Sequence, residues 1–249
     1  MSIGTDGRIE VFEHFLGFNY TGGATMSATH DQGHLMTVAS ASGAITQTTD
    51  EPGGILTITL DTTDDTNCVV YTVCPFKPAD GGCWMETRFK STSTITSVAM
   101  WAGFQETVNT TTPVIPAEFA TESFAYNSSI GGFAGVVWDP DATTDDWRYV
   151  GGVDTAPAWD ADSDAARAYQ AAVSDKFDVV RVEISPHGDV DIYLATKTGG
   201  LRLLKHKSAV VTPTDMIFPT LIIENRAAAV SGVLEVDYFN CGGFIDWTQ

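Results

Sequence analysis

At 249 residues, with 43% apolar residues and a mean hydropathy of +0.01, the chain has the make-up of a folded globular protein. No apolar stretch approaches the ~18 residues of a membrane-spanning helix, and residues 1–7 lack the basic patch and apolar run of a signal peptide. A net charge of −19 argues against nucleic acid and anionic membranes as partners, because both are held through Lys and Arg.

In chain order, residues 8–18 read as a first strand carrying Val11, Phe12, Phe15 and Phe18. Residues 19–43 are rich in Gly, Ala, Ser and Thr, and read as an extended loop with short strand pieces. A hairpin follows, with arms at 44–48 and 55–60 and a turn at Pro52-Gly53-Gly54. In its second arm Leu56, Ile58 and Leu60 face one way and Thr57 and Thr59 the other. Residues 67–74 make a strand ended by Pro75, and 84–90 and 98–104 make two more. The stretch 107–131, with Pro113 and Pro116, is irregular; strands resume at 132–138 and 146–150.

Residues 164–173 hold the helical prospect, with Asp162 or Ser163 as cap. The last third then carries four short apolar runs, at 179–184, 190–194, 221–223 and 233–239. Pro186 to Asp189, Thr198 to Gly200 and Asn225-Arg226 lie between them. Such residues between alternating runs mean turns between half-buried antiparallel strands. The expectation is a single all-β domain over 1–249, with roughly twelve to fourteen strands in two packed antiparallel sheets.

The strand Glu235-Val236-Asp237-Tyr238 places two carboxylates on one face. Such a pair could act as acid and nucleophile on a glycosidic bond, but Asn240 stands where a third carboxylate would complete the set. The bland reading is two solvent-facing acids on an amphipathic strand, with Val236 and Tyr238 inward. The acid-rich segment 139–146, with Asp139, Asp141 and Asp145, has oxygen ligands at alternate positions, as a calcium loop would. It lacks the Gly expected at Thr144 and the Glu expected at Val150, and a hairpin loop explains it equally well. Asp160, Asp162 and Asp164 repeat the spacing more weakly. His30 and His34 lie four apart, but Gly33 disfavours the helix that would turn both toward a metal.

There is no G-x-S-x-G elbow and no phosphate-cradling glycine loop. The candidates for a sugar-stacking platform are Trp138, Trp147 and Trp159, with Trp101 beside them; in a sandwich, large aromatics more often pack the core or its rim. The four cysteines (Cys68, Cys74, Cys83, Cys241) have no C-x-x-C spacing, and free thiols are the default reading. Lys197, Arg202, Lys205 and Lys207 form a basic cluster in an acidic chain, read as a Lys-protected hairpin edge, the alternative being a contact point for an acidic partner surface.

Several segments together carry a resemblance. They include Phe15-Leu16-Gly17-Phe18, Trp101-Ala102-Gly103-Phe104, the stretch from Gly135 to Arg148, His187 to Tyr193, Glu224-Asn225-Arg226 and Leu234 to Tyr238. Their order resembles the concanavalin A-like lectin/glucanase jelly rolls found among structural proteins of tailed bacteriophages. The resemblance implies a jelly-roll sandwich and a non-enzymatic virion protein: a capsid decoration or cement protein on the major capsid protein. A homo-oligomer, trimeric for instance, is implied with it; residues 1–14, as a possible attachment arm, and the Pro/Thr-rich stretch 107–131 are the candidate interface segments. The alternative is a carbohydrate-binding module touching host glycans, and the third reading is a glycoside hydrolase. No cofactor is expected, calcium being the one weak candidate.

Overall fold

The computed structural model describes residues 2–3, 8–13, 15, 30–31, 35–39, 43–48, 54–92, 95–109, 111–120, 123–142, 146–153, 156–157, 173–195 and 200–244. Their strands, in chain order, are β1 (Ser2–Ile3), β2 (Arg8–Glu13), β3 (His30–Asp31), β4 (Leu35–Ala39), β5 (Ala44–Thr48), β6 (Ile55–Thr59) and β7 (Asn67–Thr72). Then come β8 (Cys83–Ser91), β9 (Val98–Gln105), β10 (Ala117–Ala120), β11 (Ser123–Tyr126), β12 (Phe133–Trp138) and β13 (Arg148–Val153). The last are β14 (Ala156–Pro157), β15 (Asp178–Ile184), β16 (Val190–Ala195), β17 (Leu201–Lys207), β18 (Phe218–Asn225) and β19 (Val233–Phe244).

Two antiparallel sheets face each other, giving the expected jelly-roll sandwich. Sheet I runs β1-β2-β19-β8-β15-β16-β17, with the β5–β6 hairpin joined to β19 through β6; sheet II runs β14-β13-β12-β9-β18-β7-β4-β3. The short β10–β11 hairpin stands apart. Sheet I alternates along β8, β15 and β16, with every second residue buried. Its inward set includes Met85, Phe89, Val182, Ile192 and Phe239. These meet Phe104, Trp138 and Leu221 of sheet II in one core. Each such side chain contributes about 1.5–3 kcal/mol by leaving water.

Sheet II is different. Strands β7, β9 and β12 are buried at every position. The reason is a second apolar cluster on the sheet's other face. There Val69, Trp101, Val137 and Ile222 are covered by Ile115, Ala117, Phe119 and Ile130 of the 107–131 stretch. That stretch, irregular by sequence, contains β10 and β11 and acts as a lid on the sheet. Close strand approach beneath it needs glycine. Gly103 and Gly135 pair across β9 and β12. A Cβ on Gly103 would meet Ala134 O at 2.4 Å and the Trp101 ring at 2.7 Å.

Two local expectations change. The first strand ends at Glu13, Ile9 and Val11 enter the core, and the described part of 1–14 is paired in sheet I. A register shift between Val236 and Tyr238 turns Tyr238 outward, where it stacks on Phe12; Phe239 takes the inward place. Arg202, Lys205 and Lys207 of the basic cluster do lie on an edge strand, β17, whose Leu203 is exposed, and Lys197 lies outside the described residues. The expected helix at 164–173 falls almost entirely outside the described residues.

Candidate functional site: the Trp84 cleft

The alternation of β8 (Cys83, Met85, Thr87 and Phe89 inward) forces Trp84, Glu86, Arg88 and Lys90 onto the solvent face of sheet I. Among the described residues Trp84 is the indole that reaches the surface. It borders a cleft of about 350 Å³ where several strands end. The cleft is lined by Arg8 at the start of β2, Gly81 and Gly82 before β8, Glu183 and Ile184 at the end of β15, Pro186, Asp191 on β16, and Phe244 at the end of β19.

The indole is held from two sides. The Arg181 guanidinium lies 4.7 Å from the ring centroid. Arg181 is in register with Glu86, one row further along the sheet than Trp84. On the adjacent strand sits Gly242, in register with Trp84; a Cβ there would lie 2.9 Å from Trp84 Nε1. Arg181 Nε donates to Glu183 at 2.6 Å and Nη1 to Glu86 at 3.2 Å, while the Tyr238 hydroxyl donates to Glu86 at 2.8 Å. Burial and the Glu86 carboxylate push the Tyr238 hydroxyl well above its ordinary range. Asp191 Oδ1 lies 2.7 Å from His206 Nδ1. The outcome is a fixed aromatic surface with two carboxylates beside it.

The tryptophans singled out by sequence do not form such a platform. Trp138 and Trp147 have no exposed surface; they meet edge-to-face at 6.1 Å, and Trp147 meets Phe89 at 5.7 Å. Their N–H groups donate inward, to Ile95 O and Asp178 Oδ2. A ring with no open face cannot stack on a sugar, so both are core residues. Trp101 is buried likewise under the second cluster, and Trp159 lies outside the described residues. Sequence reading passed over Trp84; the signal was its place at a polar position of an alternating strand.

The acids on β19 do not converge on the cleft. Glu235 pairs with Lys90 at 2.9 Å and Asp237 with Arg88. Arg88 is four residues along β8 from Trp84. Both acids are neutralised surface groups.

Asp139 sits at the end of β12 with no exposed side-chain surface. Its Oδ2 accepts from Phe119 N at 2.9 Å and from Arg226 Nη2 at 3.1 Å, and its Oδ1 accepts from Asp141 N at 3.1 Å. The cation facing Asp139 is thus a guanidinium. Arg226 also holds Glu224 at 2.7 Å and Glu118 at 3.7 Å. Burial outweighs that pairing and pushes the Glu224 carboxyl up to about 7. Burial and the nearby Asp139 likewise raise Asp141. Asp145 lies outside the described residues, and no group of three or more His, Cys, Asp or Glu among those described is set to hold a metal ion. This cluster closes one end of the lid over sheet II. Sequence reading singled out Glu224-Asn225-Arg226 without finding its role; the signal was a charged pair directly after an apolar run. All four cysteines are free thiols, and burial pushes Cys68, Cys83 and Cys241 well above the ordinary thiol range.

No protein-family model matches the chain, and no curated protein matches it. Solved structures do. A protein of unknown function from Shewanella oneidensis MR-1 superposes with a TM-score of 0.62 at 11% identity, over 100% of this chain and 91% of that one. Peanut lectin gives 0.56 at 10% identity, over 96% and 99%. The exoplasmic domain of VIP36, bound to Ca²⁺ and Man3GlcNAc, gives 0.52 at 11% identity, over 89% and 93%. The fold is therefore the lectin-type, concanavalin A-like jelly roll.

Proposed function

We propose that this chain is a non-enzymatic carbohydrate-binding domain and that the Trp84 cleft is its sugar site. The observation that carries the reading is an accessible, clamped indole bordering a cleft of about 350 Å³ with two carboxylates in its wall. An aromatic face packs against the C–H face of a sugar ring, and carboxylates accept hydrogen bonds from its hydroxyls. The size suits a small ligand. The fold supports the same class, since VIP36 and peanut lectin share it; fold alone does not locate a site, and the cleft is what supports this one. The test is a glycan array with the wild-type chain and Trp84→Ala. Saturable binding lost in the variant supports the reading; a silent array overturns it.

Placement on a phage particle, as a decoration protein bound to the major capsid protein, rests on the sequence resemblance. Gradient sedimentation of the source material with immunodetection tests it. Co-migration with particles at a high fixed ratio to the shell protein supports decoration, a few copies per particle point to a fibre, and absence from particles overturns the placement.

A further inference from the structure

We propose that the Trp84 cleft selects amino sugars, holding a protonated sugar amine between Glu183 and Asp191 with the ring packed on the indole. This inference rests on the carbohydrate reading above and narrows its ligand class. Glu183 on β15 and Asp191 on β16 are direct cross-strand partners, both on the solvent face. Such partners have Cβ atoms about 4.5–5.5 Å apart, and like charges so placed repel. The surroundings relieve that repulsion only in part. Arg181 serves two carboxylates, Glu86 and Glu183. Asp191 faces His206, whose side chain is 56% exposed to solvent. The Tyr193 hydroxyl adds a hydrogen bond to Glu183 but no charge.

The cleft lining itself holds Glu183 and Asp191 against one cation, Arg8. A ligand cation placed between the two acids removes a repulsion already built into the sheet, and the indole face adds cation–π attraction. An N-acetylated sugar offers the same ring without the charge. A uronic acid meets the acid pair and the field of a chain of net charge −19, both repulsive.

The experiment is calorimetric titration of the full chain with a glucosamine tetramer, its fully N-acetylated counterpart and a uronic acid tetramer. The amine should bind at least about tenfold more tightly than the acetylated tetramer. Added salt should narrow the gap. Asp191→Asn, which keeps the shape and a hydrogen bond to His206, should bring the two within about twofold while its melting matches wild type. Should that variant fail to fold, Glu183→Gln reads the same charge. Equal affinity for amine and acetylated tetramers, or tighter binding of the uronate, overturns amine selection and leaves the carbohydrate reading standing. No binding by any tetramer, together with a silent array, removes both.

Discussion

Replacing Arg226 by Met tests the lid latch most directly. The methionine keeps the apolar stem and deletes the guanidinium. Asp139 then keeps the amide N–H groups of Phe119 and Asp141 but loses its countercharge at zero side-chain exposure. Glu224, whose side chain is 5% exposed, loses its 2.7 Å partner. Breaking a buried ion pair by removing one partner costs about 3–5 kcal/mol. The two amide bonds that remain on Asp139 place the expected loss near the lower figure, about 3 kcal/mol above neutral pH. Glu224 can escape its share by taking a proton, which it does at about 7 even in the wild type. The loss should therefore shrink on acidification below that pH. Urea denaturation of both proteins across this range measures it. A difference under about 1 kcal/mol, or one that does not diminish toward acid, would refute the view that the guanidinium neutralises a buried acid cluster.

Further outcomes follow from the same structure. The folded state holds the Glu224 proton more tightly than an unfolded chain does, 4.5 being the ordinary value and about 7 the folded one. The group's contribution is thus most favourable below about 4.5 and is lost as pH rises to about 7. That amounts to roughly 3 kcal/mol, a difference that Glu224→Gln should abolish in paired denaturation curves. Trp147→Ala should cost about 3–5 kcal/mol, read as a fall in melting temperature, whereas Trp84→Ala should cost far less stability while abolishing sugar binding. A thiol reagent should find Cys74 reactive in the native protein, with Cys68, Cys83 and Cys241 reacting only after denaturant is added. Chelator or added calcium should leave the melting temperature unchanged, because Arg226 already faces Asp139; a rise with calcium would show that the 139–145 loop takes the ion.

What was legible locally is what side-chain period and turn residues encode. Alternation along 84–90, 179–184 and 190–194 marked three strands of sheet I, because one face of that sheet meets water. Pro186 to Asp189 marked the turn between β15 and β16 for the same local reason. Strands β7, β9 and β12 are buried on two sides, and nothing local in their sequence says what supplies the second side. The lid of residues 107–131 does so through contacts between segments far apart in the chain. The register shift after Val236 is likewise a property of the pairing with β8, and it reversed Tyr238. Trp84, Glu183, Asp191 and Phe244 come from four strands and become one site only where those strands end together. Trp138 and Trp147, equally aromatic in sequence, were removed from any site by burial. The sequence by itself determined which residues alternate and where the chain turns, since both depend on neighbours a few positions away. Only the tertiary structure decided which faces stay open and which charges share a site, since that depends on non-local packing.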